Sequence, residues 1–269
     1  MQPKLDFKNK VVLITGGASG FGFELVKLFI ADGARVIFTT RKKISGENAV
    51  TKISKINQKN VSYYTVDLSN KIEIDKFLIQ LDKDFPNGID VLINNATSIV
   101  VGKFEKFTYN DLTSTLNVNL VSPYILSLYV IKKMKEKKNG VIVNIISGAA
   151  NIGLPFLTLY CIGKSSLRAF SESISVELKD DNIDVITVSP SPMDTGYEKN
   201  QKLIGIEKSP YDHRKKMSSE IIARKIFERI KKREIKIDVS LKTKLFELLQ
   251  LISFNTAFNK KRKYTKNQY

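Results

Sequence analysis

The 269 residues hold one cysteine, Cys161, and one histidine, His213. A single thiol excludes an internal disulfide framework and fits a reducing compartment, which predicts a cytoplasmic protein. One Cys and one His argue against a zinc site and against a mechanism resting on a histidine base. No apolar run reaches the length of a membrane span, and the opening MQPKLDFKNK lacks the apolar middle of a secretory leader. Internal repeats and low-complexity linkers are missing too. So are zinc-finger, RNP and helix-turn-helix signatures, and the net charge of +17 therefore does not read as a nucleic-acid interface. The lysines are scattered through the chain, as in KKISGENAVTKISK and VIKKMKEKKNG, which describes a lysine-rich solvated surface.

Hydrophobic residues make up 42% of the chain, enough for a sizeable core. Short β-branched apolar runs alternate with longer helix-period segments. The runs VVLIT (11–15), RVIFTT (35–40), VSYYTV (61–66), DVLIN (90–94), VIVNII (141–146) and DVITVS (184–189) predict strands, with IKIDV (235–239) a weaker seventh. Between the first two lies GFELVKLFIADG, whose Leu25, Val26, Leu28 and Phe29 share a face before Gly33 ends the helix. Continuously apolar strands alternating with helices mean an α/β fold: a doubly wound parallel sheet with helices on both faces and right-handed crossovers. One catalytic domain is expected over residues 1–240, followed by a helix and tail at 241–269.

The first strand runs into TGGASGFG (15–22) and then a helix. Gly16, Gly20 and Gly22 sit where a strand-to-helix turn passes under a ligand. Lacking Cβ, they let backbone approach a pyrophosphate, and the N–H groups of Ser19, Gly20 and Phe21 stand at the positive end of the helix. Glycines alone mark many turns; after an apolar strand and before an amphipathic helix they signal a dinucleotide site. The second strand ends in FTTRKK (38–43). At this tip an acidic residue would hold the ribose hydroxyls of NAD, and there is none. Arg41, with Lys42 and Lys43 beside it, suits the 2′-phosphate of NADP.

The segments TGGASGFG, NNAT (94–97), NVN (117–119), IVNIIS (142–147) and YCIGK (160–164) follow one another in this order. As a set they resemble the short-chain dehydrogenase/reductase family, over residues 1 to about 200. The resemblance implies a single Rossmann-like domain with a seven-stranded parallel sheet, and a homodimer or homotetramer built on the long central helices. It also implies a catalytic tetrad of Asn119, Ser147, Tyr160 and Lys164. Tyr160 would exchange a proton with the reacting oxygen, Ser147 would hold that oxygen, Lys164 would favour the phenolate and bind the nicotinamide ribose, and Asn119 would anchor a water beside the lysine. A lysine ammonium one helical turn away is expected to lower the tyrosine pKa. For the cofactor the resemblance adds Asp67 at the adenine, Asn94 as support for the loop running along the adenosine ribose, Leu68 and Ala96 as further contacts, and Pro190, Met193 and Thr195 beneath the nicotinamide. Thr97 and Ser191 stand where the family pattern has glycine, each adding a side chain beside the cofactor.

After Thr195 the chain turns polar, and residues 194–218 match the family's lid over the substrate. Ile99, Val100, Phe156, Leu157 and Tyr197 are expected around the cleft, an apolar set suited to an apolar or lipid-like ketone or aldehyde. His213 reads as a surface residue. Residues 231–269 carry eleven basic and three acidic side chains. An amphipathic helix (241–258) ahead of a basic tail is consistent with packing on the domain or on a partner subunit, and also with peripheral contact to an anionic membrane. The leading expectation is an NADPH-dependent carbonyl reductase. The rivals are an NAD-dependent alcohol dehydrogenase and a catalytically silent NADP-binding regulatory protein.

Overall fold

A computed structural model describes residues 3–57, 60–196, 201–212 and 216–239, with a few positions between 252 and 259. The expected helix at 241–258, the basic tail, Tyr197 and His213 lie wholly or almost wholly outside the described residues. All seven expected strands form, as β1 (Val11–Ile14), β2 (Arg35–Thr40), β3 (Val61–Thr65), β4 (Val91–Asn94), β5 (Gly140–Ile145), β6 (Ile183–Ser189) and β7 (Lys236–Asp238). They make one parallel sheet in the order β7-β6-β5-β4-β1-β2-β3. The order reverses between β1 and β4. In open α/β sheets a crevice for ligands opens outside the carboxyl ends of the strands at such a switch point.

Side-chain alternation explains why these strands read as unbroken apolar runs. Val12 and Ile14 of β1 face one buried layer and Leu13 the other; Val36 and Phe38 of β2 face the first, Ile37 the second. On the first face pack α1 (Gly20–Ala31) and α7 (Ser219–Lys231). Phe29 of α1 meets Phe227 of α7 edge-on at 4.9 Å between ring centroids and Phe7 at 4.8 Å. On the second face lie α3 (Lys71–Asp84) and α5 (Ser122–Lys137), through Phe77, Leu81, Leu126, Val130 and Met134. Leu25, Val26 and Phe29 are buried as the α1 pattern predicts, with Leu28 at the edge of the stripe. Gly33, at φ +87°, ends the run in the left-handed region. The helix α2 (Lys43–Asn57) links β2 to β3.

The helix α4 (Tyr109–Leu116) continues through one π turn (Asn117–Val121) into α5. By length and composition this 29-residue rod could cross a membrane, its most apolar 18-residue window having a mean hydropathy of 1.2. No such run was expected from the sequence. Leu126, Val130 and Met134 are buried against the sheet, whereas Val121, Tyr124 and Leu128 face outward. The last long helix, α6 (Thr158–Glu177), leads to β6. Two short parallel pairs stand apart from the main sheet: Val100–Gly102 with Lys202–Ile204, and Met193–Asp194 with Met217–Ser218.

Candidate active site

The glycine turn has the backbone its composition demands. Gly16 and Gly20 adopt φ +67° and +56°, where a side chain is strained. A Cβ on Gly16 would stand 3.1 Å from Ala96 Cα, and one on Gly20 3.0 Å from Thr195 Cβ. The turn is thus clasped between the loop after β4 and the segment after β6, which brings Ala96 and Thr195 to it. Gly22 serves packing: its Cβ would fall 2.4 Å from the Gly16 carbonyl oxygen. Ser19, at the N-cap of α1, makes no side-chain capping bond, and the first turn carries no acid. Its backbone donors are left to an anion. Phe21 is buried beneath.

Gly16 N donates to Thr39 Oγ1 at 3.2 Å and Gly17 N to the Thr39 carbonyl at 3.1 Å, so the turn is fastened to the end of β2. Arg41, Lys42 and Lys43 project there, all exposed. Val66 N donates to the Thr40 carbonyl at 2.9 Å and carries Asp67 and Leu68 to the same edge. The Asp67 carboxylate accepts from Ser69 N at 2.8 Å and Ser69 Oγ at 2.7 Å, an Asx turn that sets the loop. The whole edge fits a phosphate-bearing nucleotide: free helix-start donors, two positive-φ glycines and a cationic tip.

Asn94 does not do what was expected of it. Its Nδ2 donates to Asn144 Oδ1 at 2.8 Å inside the core, and Asn144 Nδ2 donates to Ser171 Oγ at 2.7 Å, tying β4, β5 and α6 together. The neighbouring Asn95 supports the turn, donating from Nδ2 to the carbonyls of Thr15 at 2.9 Å and Gly16 at 3.2 Å. Thr15 Oγ1 accepts from both Asn95 N and Ala96 N at 2.9 Å. Adjacent residues of a strand face opposite ways, and one position decides which asparagine meets the turn.

The four tetrad residues converge at the carboxyl edge of β4 and β5. Ser147 follows β5 and caps a short turn, its Oγ accepting from Ala149 N at 3.2 Å. Tyr160 lies in the first turn of α6, beside the Ser147 side chain. Lys164, one turn on and fully buried, donates from Nζ to the Ile145 carbonyl at 2.8 Å and sits 6.0 Å from the centre of the Tyr160 ring. Asn119 is buried in the π turn, a deformation common at functional sites. Its amide is committed to the loop after β4: Nδ2 donates to the Ser98 carbonyl at 2.8 Å, while Oδ1 accepts from Ser98 N at 2.8 Å and Thr97 Oγ1 at 3.0 Å. Thr97 therefore turns its hydroxyl to Asn119. Gly163 allows this closeness, for a Cβ there would stand 2.8 Å from Asn119 Cβ. The sequence signal was present, in the fourth residue of YCIGK.

The electrostatics differ from expectation. Tyr160 is only half-buried, yet enough protein surrounds its hydroxyl that burial pushes it up to about 12, against the opposing pull of the Ser147 side chain. Burial also pushes Lys164 down to about 7. The attraction expected between ammonium and phenolate yields to desolvation of both groups. The resulting pair is a protonated phenol beside an amine that titrates near neutrality.

Around Tyr160 an apolar cluster gathers Ile99, Phe156 and Leu157, as expected, with Val101, Ala149 and Cys161. Leu154, Leu203, Ile206 and Tyr211 join it unforeseen. Pro190, Ser191 and Met193 lie half-buried on the segment leaving β6, and Met193 packs against the first core layer.

A family model described as short chain dehydrogenase matches residues 10–203. An uncharacterized oxidoreductase of Thermotoga maritima is 30% identical over 217 residues, 81% of this chain and 84% of that one. A 3-oxoacyl-[acyl-carrier-protein] reductase of Chlamydia trachomatis is 31% identical over 196 residues, 71% of this chain and 77% of its own length. Among solved structures, a short-chain dehydrogenase from Streptomyces avermitilis superposes with TM-score 0.80 at 22% identity, covering 97% of this chain and 99% of that one. One from Sphingobium yanoikuyae, in complex with NADPH, gives 0.78 at 20% identity and covers 97% and 96%.

Proposed function

As this chain belongs to the short-chain dehydrogenase/reductase family, we propose that it is an NADPH-dependent reductase of ketones or aldehydes with apolar, lipid-like substituents. The coarser statement, an NAD(P)-dependent oxidoreductase acting on carbonyl and alcohol groups, follows from the family itself. The observation that carries the finer one is the convergence of Ser147, Tyr160 and Lys164 under an apolar cluster. When bound, the dinucleotide supplies a hydride to the carbonyl carbon. The chain's own groups do the rest. Ser147 Oγ donates a hydrogen bond to the substrate oxygen, and Tyr160 Oη gives that oxygen its proton. Burial keeps the phenol protonated at neutral pH, which suits the reducing direction. Lys164 returns a proton to Tyr160 and would bind the nicotinamide ribose. The Asn119 amide is already engaged by the loop after β4, which leaves its side chain no free group for a water beside Lys164.

The nucleotide would be held by the backbone of Gly16, Ser19, Gly20 and Phe21, with Asp67, Leu68 and Ala96 toward the adenosine, and with Pro190, Met193 and Thr195 at the far end. Support for NADPH comes from Arg41 at a β2 tip without an acid, and from the neighbour solved with NADPH. Side-by-side titration with NADPH and NADH tests it. Wild type should prefer NADPH, and Arg41→Ala should weaken NADPH by about 10- to 100-fold, the worth of charge-assisted hydrogen bonds, with NADH unchanged. A wild-type preference for NADH would sink the assignment. A cytoplasmic homodimer or homotetramer accompanies this reading, with Tyr124 and Leu128 of α5 and Ile162 of α6 offering exposed apolar surface for the contact.

A further inference from the structure

The lid expected over residues 194–218 contains one segment that is pinned. Lys202–Ile204 pairs in parallel with Val100–Gly102, in the register Val100↔Lys202, Val101↔Leu203 and Gly102↔Ile204. Lys103 N adds a bond to the Ile204 carbonyl at 3.1 Å. Gly102 permits the approach, because a Cβ there would stand 2.3 Å from the Ile204 oxygen. Two three-residue strands alone are marginal. Val101 and Leu203 add apolar packing from the Tyr160 cluster, and an ion pair adds a polar anchor. Lys202 Nζ donates to Asp111 Oδ1 at 2.6 Å.

Asp111 is no ordinary surface acid. It is buried, and its second oxygen accepts from Thr108 N at 2.9 Å and Thr108 Oγ1 at 2.7 Å within the capping box that starts α4. Its carboxylate is thus fixed within the cap, and the bond from Lys202, followed by those from Thr108, pulls it down to about 2, ionised at every physiological pH. A buried anion needs a cation, and the long lysine stem delivers one from the opposite strand. On the far side Tyr211 Oη donates to the Pro155 carbonyl at 2.7 Å. The segment 202–211 is thereby fastened both to the α4 cap and to the loop ahead of α6, with Leu203 and Ile206 held in the Tyr160 cluster between these anchors.

We infer that Lys202 is a positioning residue: its pairing with Asp111 latches the 202–204 strand and holds Leu203 and Ile206 as a fixed apolar wall that selects carbonyl substrates with a bulky apolar group. The inference rests on the reductase reading, which supplies the substrate. A fixed apolar wall discriminates by about 10- to 200-fold per methylene, and a slack one discriminates less.

Lys202→Met removes the charge and keeps the stem, and Lys202→Arg restores the charge. Asp111 is left intact, because its removal would also uncap α4. Two measurements are made on the full chain. The first is kcat and KM with NADPH for 4-phenyl-2-butanone and for 2-butanone. The second is amide hydrogen exchange across residues 201–206. Lys202→Met should raise KM at least about tenfold for the phenyl ketone, leave kcat and the 2-butanone KM unchanged, and speed exchange at 202–204. Lys202→Arg should recover both. Unchanged exchange at 202–204, or KM rising equally for both ketones, overturns the inference. If wild type binds NADPH but reduces neither ketone, the reductase reading has failed, and the exchange result alone then decides whether the latch exists.

Discussion

Replacing Tyr160 by phenylalanine should lower the rate of carbonyl reduction by about 10²- to 10⁴-fold, the usual worth of a positioned proton donor, with nucleotide affinity unchanged. The ring would keep its place among Phe156, Leu157 and Cys161, so only the hydroxyl is lost. Ser147 would retain its bond from Ala149 N and still be able to hold a substrate oxygen, but no group would remain to protonate it. Single-turnover oxidation of NADPH beside a fluorescence titration of binding separates the two effects. A catalytically silent binding protein would show no loss, and retained turnover would remove Tyr160 from the chemistry. For wild type the pH profile should carry a sign as well. Tyr160, pushed up to about 12, stays protonated through the neutral range, whereas Lys164, pushed down to about 7, loses its proton there. Reduction consumes a proton, so kcat/KM should fall as pH rises through the Lys164 titration.

Lys164→Met should abolish turnover and make the fold more stable. The folded-state pKa of about 7 lies below the ordinary 10.5. Between those values the unfolded chain binds a proton that the folded chain does not, so the lysine's contribution to stability improves as pH rises across that window. Below pH 7 both states are charged and the full cost of burying an ammonium is present. Methionine fills the same volume with no charge. It forfeits one hydrogen bond to Ile145, worth about 1 kcal/mol, against a desolvation cost of several kcal/mol for a buried ion. Desolvation wins. Denaturant unfolding at pH 6 should show a gain of roughly 1–3 kcal/mol, shrinking by pH 9. A variant less stable than wild type at pH 6 would mean that the polar groups around Lys164 compensate the buried ammonium. The pairing of lost activity with gained stability separates a functional lysine from a structural one.

These expectations also show what the sequence could carry. The seven strands were legible because a sheet buried on both faces writes unbroken apolar runs, and even IKIDV, with two charged residues, formed the edge strand β7. The meeting of Ser147, Tyr160 and Lys164 was legible because strand ends and a helical repeat bring distant residues to one edge. Three features were not. The pairing of residues 100–102 with 202–204 joins two three-residue segments about a hundred positions apart, and no local pattern announces it. The exchange of roles between Asn94 and Asn95 turns on which way one side chain points from a strand end. The upward direction of the Tyr160 shift was not legible either, because spacing reveals proximity and burial sets the charge. The sequence placed the lysine one turn away and said nothing of its depth.

The aromatic contact that joins the first face of the sheet has a consequence for biosynthesis. Phe7 and Phe29 come from the earliest part of the chain, and Phe227, which closes over them, from α7 near its far end. Leu5 N is likewise bonded to the Lys231 carbonyl at 2.8 Å, and Lys231 pairs with Asp32. A nascent chain can pair β1 with β2 and β3 soon after they emerge, but the glycine turn rests on α1, whose outer face stays bare until about two hundred more residues have followed. A chain stalled before α7 therefore presents Phe29 and its neighbours to the cell as an apolar surface for chaperones, with the nucleotide half assembled but unsealed.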